Sequence, residues 1–150
     1  DLQDFESVRS AIAVITSSFD VLDVLCNNAG VMALPDLATK DGYDVQVQTN
    51  CISHFLLTKG LFGLLKKSEE ARVVNHSSMA RIGPDLEMKY FEKNGGNLGA
   101  DNPDDDENSF AGPRWLRYRQ TKLANCAFTY GLIQKLEEHG ITNIDRKSVV

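Results

Sequence analysis

Segments with helical periodicity alternate along this chain with short apolar runs rich in β-branched residues. The first segment places apolar side chains three or four residues apart, at Phe5, Val8, Ile12, Ile15 and Phe19. Helices are therefore predicted over about residues 4–19, 43–67 and 115–138, and strands over residues 21–26, 72–76 and 141–144. Because helices separate the successive strands, this order predicts an α/β fold in which a parallel sheet is covered by helices on both faces.

The composition excludes several classes of function. The net charge of −5 argues against non-specific nucleic-acid binding, which needs clustered Lys and Arg. No apolar run approaches the ~20 residues of a membrane-spanning helix, and the start at Asp1 is neither basic nor apolar, so no secretory signal is predicted. Cys26, Cys51 and Cys126 are odd in number and widely spaced, which favours free thiols in a reducing compartment, the cytoplasm.

A polar stretch interrupts the alternation of helices and strands. Residues 83–113 are rich in Gly, Asn, Asp and Pro and are predicted to form a long loop insert. Its acidic run, residues 101–107, lacks the alternation and the central Gly of a calcium loop, so a solvated loop is predicted there. Its Gly-rich residues 95–99 lie outside the strand–turn–helix context of a phosphate-binding turn. We expect one domain, residues 1–150, with this insert and an atypical tail at 145–150.

Four short polar patterns fall where an α/β fold binds ligands. Tyr118 and Lys122 are four residues apart, so they share one face of a helix. A phenol that exchanges a proton near neutral pH needs a nearby cation, because its ordinary pKa is about 10. Ser77-Ser78 and the triplet at 28–30 follow predicted strands, at the edge where open α/β sheets bind ligands, and Asn50 is polar within an apolar helix. Taken singly, each pattern also fits a turn, a solvated lysine or a satisfied core amide.

Taken together, the four patterns resemble the motifs of the short-chain dehydrogenase/reductase family. The matching motifs are Asn-Asn-Ala-Gly at 27–30, Asp-Gly-Tyr at 41–43 leading to Asn50, Val-Val-Asn-His-Ser-Ser at 73–78, and Tyr-x-x-x-Lys at 118–122. The flanking segments at 54–58 and 122–125 are similar to the sequences of the retinol-dehydrogenase-like and WW-domain-oxidoreductase-like branch of this family. The resemblance covers about residues 1–82 and 114–140. It implies a Rossmann-like doubly wound parallel sheet, here incomplete and comprising the central and C-terminal half.

The resemblance implies a catalytic tetrad of Asn50, Ser78, Tyr118 and Lys122. Tyr118 would exchange a proton with the substrate oxygen while hydride moves to or from a nicotinamide ring. Ser78, the second serine of its pair, would hydrogen-bond the same oxygen. Lys122 would bind the nicotinamide ribose and favour the phenolate form of Tyr118. Asn50 would hold a water that links Lys122 to bulk solvent.

The same resemblance implies a cofactor, NAD or NADP. The residues expected to line it are Tyr118, Lys122, Asn28, Ala29, Gly30, Asp1 and Leu2. Asp1-Leu2 matches the family's Asp-Leu, whose acid meets the adenine ring. The family's opening strand and its Thr-Gly-x-x-x-Gly-x-Gly turn, which seats the pyrophosphate at a helix N-terminus, do not appear in the sequence. We therefore expect the chain to be the middle of an enzyme, without the residue that selects NAD or NADP.

The predicted function is hydride transfer between a nicotinamide cofactor and an alcohol or carbonyl substrate. Two alternatives stay open, namely a non-catalytic truncated fragment unable to bind cofactor and an epimerase or dehydratase of the same superfamily. The helices at 43–67 and 115–138 are apolar on more than one face, so a homodimer of the complete protein is predicted through them. His54 and His76 are interpreted as packing residues, and neither a metal site nor a nucleic-acid partner is predicted.

Overall fold

Three parallel strands form the sheet in the computed structural model of this protein, which describes residues 1–83, 85–99 and 109–149, with the backbone alone for 146–149. The strands are β1, Val24–Asn27, β2, Ala71–His76, and β3, Ile144–Val149, in the spatial order β1-β2-β3. The register pairs Leu25 with Val73 and Ala71 with Ile144. Helices connect the strands, so the predicted α/β class with a parallel sheet is confirmed.

Two of the three strands begin three residues later than predicted. β1 starts at Val24 and β3 at Ile144, whereas the apolar runs start at residues 21 and 141. Both starts follow from pairing with β2, which begins at Ala71. The N–H of Ala71 donates to the carbonyl of Asn143, the residue before β3, at 2.8 Å. β3 consequently continues to Val149 and includes most of the residues predicted to be an atypical tail.

Helix α1, Phe5–Ser18, begins where the sequence predicts it. The carboxylate of Asp4 caps it by accepting a hydrogen bond from Glu6 N at 2.9 Å. Ile12 and Ile15 lie on the side of α1 that joins the hydrophobic core. Where α1 meets the next helix, a Cβ atom built on Gly60 would overlap Ile12 Cδ1 and would lie 2.8 Å from Ile12 Cγ2. The glycine therefore allows the two helices to approach closely.

We expect Gly60→Ala to destabilise the protein by about 1–3 kcal/mol, because the added methyl overlaps three atoms of the Ile12 side chain. Gly63→Ala on the same helix is the matched control, since a Cβ at Gly63 meets no atom within 4 Å. That control should be neutral or more stable by up to about 1 kcal/mol, as alanine favours a helix. Urea unfolding of both variants measures the difference, and equal stability of the two would contradict the close approach.

Helix α2 runs continuously through three segments: α-helical Val45–Val47, π-helical Gln48–Ile52 and α-helical Ser53–Leu65. It begins at a buried cap, because Asp44 Oδ1 accepts from Gln46 N and Val47 N, each at 3.0 Å. The predicted helix at 43–67 is thus confirmed to within two residues at each end. The π-helical turn, a feature that often marks functional sites, was not predicted.

Helix α3, Pro113–Glu138, has Pro113 in its first turn, where a missing N–H costs nothing. Its C-terminus is capped at His139-Gly140. Gly140 has φ +64°, and its N–H donates to Glu137 O at 3.0 Å, while Ile141 N donates to Leu136 O at 2.8 Å. The chain then turns back toward β3.

One face of the sheet packs on the helices and forms the hydrophobic core. In β1 and β2 burial alternates, so that Leu25 and Val73 face the helices while Val24 and Arg72 are exposed. The other buried members of this core are Leu61, Leu64, Leu65, Ala71, Leu136 and Ile144. Within the described part of the chain the helices therefore cover one face of the sheet, and the predicted second helix layer is not seen.

Two asparagines lie on the buried face of the sheet at register-paired positions. Asn27 Nδ2 donates to Asn75 Oδ1 at 2.8 Å and to Thr58 Oγ1 at 2.9 Å, and Asn75 Nδ2 donates to Thr129 Oγ1 at 2.9 Å. These bonds connect β1 and β2 to α2 and α3. Buried amides of this kind are tolerated when they are hydrogen-bonded, and they favour one register of the two strands.

The described part of the loop insert packs against α3. Residues 85–99 contain a short 3₁₀ helix, Met88–Phe91. Gln120 holds the segment, since its Nε2 donates to Asp85 O and its Oε1 accepts from Glu87 N, both at 2.9 Å. The acidic run at 101–107 lies outside the described residues. In the ranges that the structure describes, no helix is long and apolar enough to cross a membrane.

Candidate active site

A cleft of about 240 Å³ opens at the carboxyl ends of β1 and β2. Its lining residues come from the loop after β1, from the end of β2 and from α3: Asn28, Gly30, Val31, Met32, His76, Tyr118 and Lys122. This is the edge at which open α/β sheets bind ligands. Four of the residues predicted to bind a cofactor or substrate, at 28, 30, 118 and 122, therefore meet in one place.

Tyr118 and Lys122 lie one helical turn apart on α3, with Lys122 Nζ 5.5 Å from the centroid of the Tyr118 ring. Lys122 is 4% exposed, and its Nζ donates to His76 O at 3.1 Å. Burial lowers the pKa of the Lys122 ammonium, because a low-dielectric surrounding disfavours the charged form. The phenol ring of Tyr118 is half-buried at the cleft. A ligand in the cleft can thus meet a phenol and an ammonium together.

Asn50 lies in the π-helical turn and is fully buried. Its side chain pairs with both backbone groups of one loop residue, because Oδ1 accepts from Val31 N at 2.8 Å and Nδ2 donates to Val31 O at 2.7 Å. The same Nδ2 donates to Thr121 Oγ1 at 3.1 Å, and Thr121 Oγ1 donates to Tyr118 O at 2.7 Å. Asn50 therefore connects the loop after β1 to the helix that carries Tyr118. Its predicted role as holder of a water stays a prediction.

Gly30 lets the loop approach this amide closely. A Cβ built on Gly30 would lie 3.1 Å from Asn50 Oδ1 and 3.7 Å from Lys122 Nζ. A larger residue would therefore press on the amide and occupy the space beside the ammonium.

The two serines after β2 have different surroundings. Ser77 is fully buried; its Oγ donates to Lys122 O at 2.7 Å and lies 3.2 Å from Cys126 Sγ. Ser78 is half-buried, and its Oγ accepts from Ala80 N at 3.2 Å at the start of the 3₁₀ helix Met79–Arg81. Ser77 thus holds α3 against β2, which leaves Ser78 as the serine with the more accessible hydroxyl. Ser78 is not among the residues that line the cleft.

Three further predicted cofactor residues, Asp1, Leu2 and Ala29, are also not among the lining residues. Asp1 Oδ1 accepts from Gln3 N at 2.8 Å just before α1. Leu2 O accepts from Ser53 Oγ at 2.6 Å, so the start of the chain packs beside the turn that follows Asn50. Their contact with a cofactor stays a prediction.

The sequence does not predict His76 and Thr121 as residues of this site, nor the lining residues Val31 and Met32. His76, interpreted as a packing residue, lines the cleft, with its Nδ1 2.7 Å from Asn28 Oδ1. Its carbonyl also accepts from Asn125 Nδ2 at 2.9 Å, beside the bond from Lys122. Thr121 stands between Tyr118 and Lys122 in the sequence, and its hydroxyl connects Asn50 Nδ2 to Tyr118 O. The position of His76 at the end of a strand, directly before the serine pair, is the signal that indicates a place at the cleft.

Comparison with known proteins agrees with this arrangement. The family model for short chain dehydrogenases matches residues 1–89, which is more than half of the chain. Retinol dehydrogenase 12 of Bos taurus is 37% identical over 148 residues, covering 95% of this chain and 40% of that protein. The chain thus spans about two fifths of the length of the curated relatives it matches.

Two solved structures share the fold. An uncharacterized protein from Mycobacterium paratuberculosis is 34% identical with a TM-score of 0.73, and the match covers 99% of this chain and 47% of that one. The NADPH-bound carbonyl reductase from chicken fatty liver is 23% identical with a TM-score of 0.61, over 96% of this chain and 52% of that one. The fold is that of an incomplete Rossmann-like domain. The chain therefore belongs to the short-chain dehydrogenase family of oxidoreductases and is similar to its retinol dehydrogenases.

Proposed function

We propose that the full-length protein is an NAD(P)-dependent oxidoreductase that transfers hydride between the cofactor and an alcohol or carbonyl substrate. The observation that carries this proposal is the pair Tyr118 and Lys122, held one helical turn apart at a cleft on the carboxyl edge of a parallel sheet. A phenol beside a buried ammonium is suited to moving a proton to or from a substrate oxygen.

The residues at the cleft fit a nicotinamide cofactor. Gly30 carries no side chain, so the backbone of the loop lies close to Asn50 Oδ1 and Lys122 Nζ at the wall of the cleft. Lys122 supplies ammonium donors toward ribose hydroxyls, and Asn28 supplies an amide. NADPH in the structurally similar carbonyl reductase supports the same class of cofactor here. When bound, such a cofactor supplies or accepts the hydride.

In this proposal Tyr118 is the acid–base residue, donating its phenolic proton to a carbonyl oxygen in reduction and accepting it from an alcohol in oxidation. The positive charge of Lys122, 5.5 Å from the ring, stabilises the phenolate that forms. Ser78 donates a hydrogen bond to the same substrate oxygen. Asn50 completes the proposed tetrad by keeping Val31 and the Tyr118 turn in place.

The experiment is an assay of the full-length protein with NADH or NADPH and a panel of aliphatic and aromatic aldehydes and ketones. Consumption of reduced nicotinamide, with the matching alcohol identified as product, is the expected result. A folded protein that binds the cofactor yet turns over no carbonyl, and no alcohol in the reverse direction, would contradict the proposal.

We also propose that the full-length protein is a homodimer through α2 and α3. Several apolar residues of these helices face the core, among them Leu61, Leu65 and Leu136, so the free surface is smaller than the sequence suggests. Phe55 is nevertheless 52% exposed and packs edge-on against Phe128, with ring centroids 5.4 Å apart. Sedimentation velocity at micromolar concentrations should give twice the chain mass, and Phe55→Glu should give monomers. A wild-type protein that sediments as a monomer at all concentrations would contradict the proposed homodimer.

A further inference from the structure

Arg117, the residue before Tyr118, is a charged side chain with no exposure to solvent. Its Nη1 forms ion pairs with Asp44 Oδ2 and with Asp36 Oδ1, the latter at 3.0 Å, and its Nη2 donates to Leu34 O at 2.9 Å. Removing a guanidinium from water is unfavourable unless several partners satisfy it. The planar guanidinium holds its N–H donors in a fixed fork, whereas the lysine ammonium is a compact charge on a flexible stem.

The partners of Arg117 belong to the two segments that shape the cleft. Leu34 and Asp36 continue the loop that lines the cleft at Val31. Asp44 is the N-terminal cap of α2, the helix that carries Asn50. Arg117 thus connects the helical turn that carries Tyr118 to both segments, and its contacts with the loop lie three and five residues after the Asn50 contact at Val31.

Asp36 extends this contact to the loop insert. Its Oδ2 accepts from Gly99 N at 3.0 Å, and its carboxylate oxygens each lie 3.3 Å from Leu98 N. One carboxylate therefore joins the guanidinium of Arg117 to the backbone of the insert. The Gly-rich stretch at 95–99, which matches no phosphate-binding turn, acquires a structural role here.

Lys122 is held independently of Arg117. Its Nζ donates to His76 O at 3.1 Å, and its backbone carbonyl accepts from Ser77 Oγ at 2.7 Å. A substitution at Arg117 is therefore expected to shift Tyr118, the next residue, more than Lys122, which lies one turn later. Tyr118 has no comparable side-chain bond to β2 among the hydrogen bonds of the described residues.

We infer that Arg117 is a positioning residue: through Asp36, Asp44 and Leu34 it sets the helical turn of Tyr118 against the loop that forms the other wall of the cleft. This inference rests on the proposed function, because it assigns Arg117 to the geometry of proton transfer. It adds a residue outside the Asn, Ser, Tyr and Lys set.

The test is Arg117→Lys in the full-length protein, which keeps the charge and removes the fork. We expect kcat per cofactor-binding site to fall about tenfold or more, which corresponds to about 1.4 kcal/mol of transition-state stabilisation. The KM and the dissociation constant for the cofactor should change less than about threefold, because Lys122 keeps its own contacts. Arg9→Lys, an exposed arginine of α1, is the control and should leave all constants unchanged.

Energy transfer from tryptophan to reduced nicotinamide measures cofactor binding independently of turnover. The ring of Trp115 lies 5.7 Å from the ring of Tyr118, a residue that lines the cleft. A purely structural role would lower the number of cofactor-binding sites and leave kcat per site unchanged, and that result overturns the inference. A fall in kcat that is matched by an equal loss of cofactor affinity also overturns the inference.

Asp36→Asn is the second variant, in case Arg117→Lys does not fold. It leaves the pair of Arg117 with Asp44 in place, so a smaller fall in kcat in the same direction is expected. An unchanged kcat in this variant contradicts the inference. Failure of the proposed function is seen separately, as absence of turnover in the wild-type protein or as full activity of Tyr118→Phe.

Discussion

Tyr118→Phe in the full-length protein should lower kcat by about 10²–10⁴-fold, the usual contribution of a general acid–base group. The phenylalanine ring fills the same place beside Lys122 and Trp115 but carries no exchangeable proton. Cofactor affinity should therefore stay within about threefold of the wild type, since the ribose contact proposed for Lys122 is intact. Stopped-flow measurement of hydride transfer together with cofactor titration separates the two effects.

Tyr130→Phe is the matched control for this substitution. Tyr130 lies on the same helix and is 73% exposed, so removal of its hydroxyl should leave kcat unchanged. If Tyr118→Phe instead retains kcat within tenfold of the wild type, Tyr118 is not the acid–base residue, and a different proton donor must be sought at the cleft.

Lys122→Met is expected to lower both kcat and cofactor affinity. The methionine keeps a buried apolar side chain at this position and removes the ammonium that faces His76 O and the Tyr118 ring. The phenolate of Tyr118 then lacks its nearest positive charge, and the proposed ribose contact is lost. We expect kcat/KM for the cofactor to fall by about 10³-fold, which is about 4 kcal/mol.

The control for this variant is Lys135→Met on the same helix. Lys135 is exposed and pairs with Glu138 at 2.6 Å, a surface ion pair of small energetic weight. Its replacement should leave kcat/KM unchanged. An equal loss of affinity in both variants would show that the charge of α3 as a whole, and not the position of Lys122, governs cofactor binding. An unchanged cofactor affinity in Lys122→Met would contradict the ribose contact.

The helices of this protein are largely predictable from its sequence, because a helix depends on local periodicity and local caps. Asp4 before α1 and Gly140 after α3 act as caps in the structure, and Asp and Gly are residue types that favour those positions. The starts of β1 and β3 are less predictable, because a strand begins only where a neighbouring strand offers N–H and C=O groups for pairing. The π-helical turn at Gln48–Ile52 has no comparable signal in the sequence.

The sequence by itself determined that Tyr118 and Lys122 share a face, because four residues of α-helix bring two side chains to the same side. It also placed Asn28 and Gly30 at the carboxyl edge of the sheet. The tertiary structure alone decided which groups hold this site together. Asn50 with Val31 and Arg117 with Asp44 are 19 and 73 residues apart in the chain. A hydrogen bond between such residues depends on how helices and loops pack, and a local pattern carries no information about that packing.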